Sequence, residues 1–532
     1  MILKEIIDFK KINFFSKLVN DYNSKEKKLK PFISSFPSEE SIIKQIKKRK
    51  LSRDLRFDLV SVFKKQYQNT NFLNSNLDRI NNNIENLLSD KTYTITTGHQ
   101  ICLFANPLFL IYKIINIINL SSRISKVSKK NIVPIFWLAS EDHDFEEIKS
   151  LNLFSRQHEW SKKHDNSDVG SISTKNIDLF IDDIFSSFED YPYKKDLKKL
   201  LIETYTKNDT LSKGIRSLLT FFFAKHGLLI LDANDSVLKK HFKSILKLEI
   251  KDQTSFDLVS SQTKELSKDY KTIVKPRELN LFYLKGNNRV RIVKKNKKYQ
   301  LVNNQKEWSQ KQILDEIEGF PERFSPNVIL RTLYQEKILP NIAYVGGPTE
   351  ISYWLQLKSL FSKLKLEFPI LVMRSFVLNV NYDHYKFLKK NKVESIELFF
   401  PIEQFLSRSL YKKSKINLIQ ELNEFSSLFN SIDKKTKKID NSLNIHSLSI
   451  CKKIEKDLQK LEKKIIKYQK KDHTSYVQIL SQIHSSFYFK NNIQERSSSF
   501  FYYYLKHGDK FFDILIKKLN CLESGYIILK GF

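Results

Sequence analysis

The chain has 532 residues, 41% of them hydrophobic and 13% aromatic, with a formal net charge of +32. That length exceeds what one core organises and predicts two to four structural units. The charge would ordinarily suggest nucleic acid or an anionic membrane, but the lysines are dispersed over the whole length beside abundant Asn, Ile and Phe, so neither is an expected partner.

Residues 1–90 are polar and helix-patterned, punctuated by Pro31 and Pro37, and are read as a helical N-terminal cap. The opening MILKEIIDFKKINFF mixes acid and base into its apolar pattern, which fits an amphipathic helix better than a secretory signal. The stretch 91–150 follows as a β-branched strand (TYTITTGHQ), a long apolar helix, a buried strand (NIVPIFWLAS) and an acidic burst (EDHDFEE). Strand, crossover helix and parallel strand make a βαβ unit, whose ligands lie beyond the carboxyl ends of the strands. Asn106 is read as the N-cap and Pro107 as the first residue of the helix, so the turn after His99 leads into a helix start that favours an anionic group.

Residues 151–225 are read as a first, polar then helical insertion, 226–240 as a core strand at Gly227–Asp232, and 241–330 as a second, β-containing insertion with a hairpin turn at Gly286-Asn287-Asn288. The core resumes over 331–385: a strand from Asn341 to Val345, a Gly346-Gly347 turn, a helix opened by Pro348 and Glu350, and a strand from Phe368 to Met373 ending at Arg374. From 386 to 490, Leu418, Leu422, Phe425, Phe429 and Ile432, then Ile454, Leu458, Leu461, Ile465 and Tyr468, recur at alternating steps of 4 and 3. Two such seams around DNSLN predict an antiparallel coiled-coil hairpin. A helical tail, 491–532, completes the chain and carries Gln494-Glu495-Arg496.

Cys102, Cys451 and Cys521 are far apart with no CxxC, which argues against a disulfide framework or a zinc site and fits a reducing cytosol. The most apolar run, Ile101–Leu120, is broken by Asn106-Pro107 and Lys113, so no membrane span is predicted and a soluble, cytoplasmic protein is expected.

Several constellations carry chemistry. His99 suits an acid, a base or a phosphate ligand, and equally a polar turn. Glu141, Asp142, His143 and Asp144 suit a divalent cation, a substrate amine or a solvated helix cap; their position after an apolar strand places them at the sheet rim. Arg331, Arg374 and Arg496 suit a bidentate grip on carboxylate or phosphate, or an interdomain ion pair. No GxGxxG, GxxxxGK[ST] or GxSxG is present.

TGHQICLFANPLFLIYKI, VPIFWLASEDHDFEEI, RELNLFYLKGNNRVRI, FSPNVILRTLYQEKILPNIAYVGGPTEISYWLQLK and the late QER together resemble the bacillithiol biosynthesis cysteine-adding family, the BshC-type cysteine ligases, nearly end to end. The resemblance implies an α/β fold: a Rossmann-like core with two connecting insertions, a helical N-terminal segment and a C-terminal α-helical coiled coil that mediates homodimerisation. It also implies amide formation between cysteine and the amine of glucosaminyl-malate. A carboxylate is a poor acyl donor, so ATP is the expected co-substrate, with or without Mg2+, and no zinc. TGHQ stands where class I aminoacyl-tRNA synthetases carry an HIGH-like motif and no KMSKS is present, so their adenylation chemistry does not transfer intact.

On this reading His99, Asp142, His143 and Asp144 are the catalytic candidates. Gly98, Gln100, Asn106, Glu141, Arg331, Tyr344, Gly346, Gly347, Glu350 and Arg374 are expected to bind substrate, the two arginines on the malyl carboxylates. Gln494, Glu495, Arg496 and Tyr503 are expected to form a nucleotide pocket between core and coiled coil. The rival readings are a basic coiled-coil scaffold that binds RNA, and a nucleotidyl- or glycosyltransferase on the same architecture.

Overall fold

The computed structural model describes residues 2–73, 76–153, 156–162, 168–285, 288–302, 306–414 and 418–532. Its centre is a parallel sheet of β1 (Thr92–Gln100), β2 (Asn131–Ala139), β3 (Leu229–Asp232), β4 (Asn341–Gly346) and β5 (Ile370–Met373), in the order β3-β2-β1-β4-β5. That is the Rossmann order, in which chain direction across the sheet reverses between β1 and β4 and opens a crevice at their carboxyl ends. β2 through β5 are near-continuous apolar runs because both faces of a parallel sheet are covered. Pro134, which lacks an N–H, pairs with β1 just outside the Ile135–Leu138 stretch that joins β3.

The helix α1 (Phe109–Ser128) connects β1 to β2 and is buried along most of its length, ending where Lys129 adopts a left-handed conformation (φ 53°) and donates to the Ser125 carbonyl. It begins later than the sequence suggests: a short 3-10 turn at Leu103–Ala105 intervenes, and Asn106 closes that turn, its amide donating to the Leu103 and Phe104 carbonyls. Asn106 is therefore not the N-cap of α1. The helix α2 (Pro348–Trp354) starts as expected, with Pro at its first position and the Glu350 carboxylate reaching back to accept from the Gly347 N–H.

Among the described residues, the segment 150–223 holds a small hairpin (Ser150–Leu153 with Arg156–Glu159) and three α-helices. The second insertion holds a five-stranded antiparallel sheet that includes Leu281–Lys285 and Asn288–Lys295; residues 286 and 287 of the expected turn lie outside the described residues.

Both chain ends differ from the sequence reading. Leu3–Ile7 is a strand and not a helix, and the tail ends in the strand Tyr526–Lys530. The two pair antiparallel, and Tyr526–Lys530 also pairs parallel with Phe376–Val380. Neither segment is long enough to bury itself as a helix, whereas a shared sheet buries Tyr526, Ile527, Ile528 and Leu529 completely.

The helices α3 (Ile419–Ile439) and α4 (Asn441–Asp472) form the predicted antiparallel hairpin, with Asp440 alone between them. The first seam packs, with Phe425 and Phe429 ring to ring at 5.3 Å. The second departs from it: Ile454, Leu461 and Tyr468 are exposed, because α4 outruns α3 and its farther half leans on the helix Ile402–Ser414.

Candidate functional site

The crevice between β1 and β4 opens into a cavity of about 870 Å³. Gly98, His99 and Gln100 from β1, Glu141 and Asp142 beyond β2, Gly347 and Glu350 at the head of α2, and Arg374 beyond β5 form its floor. The second insertion covers it as a roof with Lys275, Arg277, Phe282, Arg289 and Arg291, while Arg331 and Arg496 enter from the sides.

The floor is built around a lysine that sequence reasoning treated only as a break in an apolar helix. Lys113 on α1 has no exposed surface. Its ammonium donates to the Gly98 carbonyl and to both Glu350 oxygens at 2.9 and 2.8 Å, which uses all three of its protons. Glu350 Oε1 also accepts from Tyr344 Oη at 2.5 Å and Oε2 from the Gly347 N–H at 2.8 Å. Each carboxylate oxygen thus has two donors, and no lone pair remains for a ligand. Burial would raise the Glu350 carboxyl, but Lys113 and the Gly347 and Tyr344 donors outweigh it and hold it below the usual range. Burial pulls Lys113 below the ordinary lysine range, against the opposing pull of Glu350. Tyr344 and Glu350 therefore act as a clamp on the turn rather than as substrate ligands. Gly346 packs inside it: a Cβ there would lie 3.1 Å from Glu350 Cβ.

A second pair fixes the other side of the floor. Arg374 donates to Glu495 through two nitrogens, at 3.0 and 2.7 Å, and both side chains are buried (2% and 1% exposed). Arg374, expected on a malyl carboxylate, and Glu495, expected at a nucleotide, instead lock onto each other. Gln494 is similarly engaged: its amide accepts from the Asn379 N–H at 2.8 Å and donates to the Asn379 carbonyl at 3.0 Å, continuing a strand edge. Arg496 alone of the QER residues reaches the core cavity.

His99 is neutral. Burial, then the nearby Lys113 charge, pull its imidazole down to about 4, and its Nδ1 lies 3.1 Å from the Gln100 carbonyl oxygen, with its ring edge-on to Phe109. Cys102 Sγ lies 3.6 Å from that Nδ1, but burial pushes its thiol up to about 12, which removes it as a nucleophile.

Asp142 accepts from Gln100 Nε2 at 2.6 Å and from the His143 N–H at 2.8 Å, with Arg289 3.7 Å away. Burial acts to raise its carboxyl, but Gln100 and Arg289 outweigh it and keep it ionised. Glu141 pairs with the buried Lys239 at 3.2 Å. Asp144 caps the short helix Phe145–Ile148 by accepting from the Glu147 N–H, and neither it nor His143 is a wall of the cavity. Asn106 is likewise turned into its own turn. Among the described residues no group of three His, Cys, Asp or Glu is placed to hold a metal ion.

Arg289 reaches this rim from the roof. It lies flat on Phe282 (3.9 Å to the ring centre) and donates to Ser325 Oγ and the Pro326 carbonyl. The sequence showed it only as part of a hairpin, because nothing local reveals which strand end an insertion covers. Lys275, Arg277, Arg291, Arg331 and Arg496 form no ion pair with a carboxylate among the described residues. The Nε of Arg291 and of Arg331 has no partner there at all.

A second cavity of about 370 Å³ lies beside the tail, walled by Asn379, His384, Tyr488, Gln494, Tyr502 and Tyr503 among others, none of them Lys, Arg, Asp or Glu. The expected nucleotide set is thus split: Gln494 and Tyr503 face this uncharged cavity, Arg496 faces the core cavity, and Glu495 is buried between.

Residues 1–375 match the family model for the bacillithiol biosynthesis BshC N-terminal Rossmann-like domain, and residues 377–531 that for the BshC C-terminal coiled-coil domain. A protein of Flavobacterium johnsoniae named "Putative cysteine ligase BshC" is 37% identical over 530 residues, covering 99% of both chains. Relatives of the same name from Flavobacterium psychrophilum (36%, 99% of both) and Christiangramia forsetii (33%, 98% of both) are also full-length matches.

Proposed function

The chain belongs to the BshC family of bacillithiol biosynthesis, and from that premise we propose that it is a ligase that joins the carboxyl of cysteine to the amine of glucosaminyl-malate. The relatives' names support a cysteine ligase. The observation that carries the finer reading is the cavity at the β1–β4 crevice, with an ionised carboxylate, Asp142, on its floor and, around its roof and sides, five cations that have no carboxylate partner among the described residues. An ammonium substrate suits the first, and ligands with several negative charges suit the second.

In this reading ATP activates cysteine. The carboxylate attacks phosphorus, giving an acyl-adenylate and pyrophosphate or an acyl phosphate and ADP. The substrate ammonium gives one proton to solvent at the cavity mouth and becomes the amine, which attacks the acyl carbon; as the amide forms, AMP or phosphate leaves with the bonding pair and the second proton passes to solvent. Asp142 orients the amine as its ammonium. His99, being neutral, contributes a hydrogen bond to the reacting acyl group rather than a positive charge. Arg331 and Arg496 hold the malyl carboxylates, the role expected of Arg374, while Lys275, Arg277 and Arg291 meet phosphate. The uncharged second cavity suits the base and ribose of the nucleotide better than its phosphates. Mg2+ would accompany ATP through the phosphates.

The exposed Ile454, Leu461 and Tyr468 support the expected homodimer through the coiled coil; Leu461→Lys should shift the mass measured by light scattering from dimer to monomer.

Mass spectrometry of reactions containing cysteine, glucosaminyl-malate and ATP, each omitted in turn, tests the reading. Amide product that requires all three, with AMP or ADP formed in step, supports it. No amide from a folded protein with all three present sinks it.

A further inference from the structure

Arg331 enters the core cavity from the helix Leu330–Ile338. A guanidinium on a flexible stem binds an anion well only if its fork is held in one direction. Gln335, one turn further along the same helix, accepts from Arg331 Nη2 at 2.6 Å. A side-chain amide could present either its oxygen or its NH2 group, and its remaining contact decides which. Here Gln335 Nε2 donates to Glu336 Oε1 at 2.9 Å. The same oxygen accepts from Asn341 Nδ2 at 2.7 Å, and Asn341 Oδ1 accepts from Thr96 Oγ1 on β1 at 2.9 Å. Glu336 Oε2 lies 3.2 Å from an Arg49 nitrogen that also donates to the Leu339 carbonyl. Arg49, Gln335, Glu336 and Asn341 are all buried. A guanidinium can only donate, so Gln335 turns its oxygen to Arg331 and gives its NH2 group to Glu336 Oε1.

We propose that Gln335 is a positioning residue: it passes the polarity of the buried Arg49–Glu336 pair to Arg331 and so fixes the guanidinium that meets the anionic part of the substrate. The proposal rests on reading Arg331 as an anion ligand.

Calorimetric titration of the full-length protein with L-malate as the probe tests both statements separately. Gln335→Glu keeps the shape but sets a carboxylate against Arg331 and should weaken malate binding at least tenfold, as expected when a charged hydrogen-bonding partner is neutralised. Gln335→Met leaves Arg331 charged but undirected, and should weaken it about threefold. This order, Glu worse than Met, is what a polarity role requires. A role in filling space alone would leave the isosteric Glu variant the milder one, and that order overturns the proposal. Wild-type affinity in both variants while Arg331→Gln loses binding also overturns it. Wild-type affinity in Arg331→Gln removes the anion reading beneath it, and the proposal falls with that reading. Should Gln335→Glu fail to fold, Gln335→Met decides alone, and an affinity equal to the wild type sinks the idea.

Discussion

The floor and the roof of the core cavity are both rich in charge, yet they treat it oppositely. On the floor, Lys113 is matched by Glu350, Arg374 by Glu495 and Glu141 by Lys239, and the hydrogen-bonding capacity of the Lys113–Glu350 pair is filled within the protein. On the roof, Lys275, Arg277 and Arg291 face the space without a carboxylate partner among the described residues, and only Arg289 is engaged, at Asp142 and the Pro326 carbonyl. A buried charge that is fully paired sets shape, because removing its partner strands the other in a medium that penalises it. A charge left unpaired at a cavity wall is free to meet a ligand. Charged residues near a site therefore divide by what they already hold, not by how close they lie.

The largest effect that can break this comparison is on stability. Lys113→Met or Glu350→Leu should each lower the unfolding free energy in urea by about 3–5 kcal/mol, as for other broken buried pairs, while the double variant that combines them should lose much less than the sum. Single variants as stable as the wild type would mean the floor pair is not structural. Arg374→Met should behave similarly, since it leaves Glu495 unpaired and buried.

A smaller effect sharpens the other half. Arg291→Gln and Arg277→Gln should change stability by no more than about 0.5 kcal/mol, yet weaken ATP binding about tenfold each, and the weakening should shrink as salt rises. Roof variants that lose several kcal/mol of stability but bind ATP as the wild type does would reverse the assignment.

The smallest effect concerns His99. Its folded-state value of about 4 lies below the ordinary 6.5, so the unfolded chain takes up a proton that the folded one refuses. Stability from this group is present above 6.5 and is lost as the pH falls toward 4. A His99 ring signal followed by NMR should therefore titrate near 4 and show no inflection near 6.5; one near 6.5 would mean the floor does not exclude water from it.

The parallel sheet was legible because β2 through β5 are compact apolar runs ended by glycine or polar residues, as at NIVPIFWLAS and NIAYVGG, and β1 is a β-branched run ended by Gly98. Gly98, His99 and Asp142 were legible as cavity residues for the same reason: they sit at or just beyond those ends. What each side chain does was not. Arg374 and Glu495 are 121 residues apart, and nothing in either neighbourhood announces that they meet. Lys113 did leave a signal, a lysine inside an otherwise apolar helix, which implies a buried partner. Leu3–Ile7 and Tyr526–Lys530 were misread because strand pairing between segments so distant has no local signature, while a short run with charges at helical spacing imitates a helix.

That terminal sheet has a consequence for how the molecule is made. Its central strand, Tyr526–Lys530, lies between Leu3–Ile7 and Phe376–Val380, so both outer strands wait for one that is translated well after them. Until Tyr526–Lys530 has left the ribosome, Phe376–Val380 lacks the neighbour it pairs with, and Arg374 waits for Glu495 across 121 residues. The core can gather early around β1 and α1, but the pairing of Phe376–Val380 comes only with that distant strand. A nascent chain stalled within the coiled coil would present an open sheet edge to chaperones, and to other copies of itself.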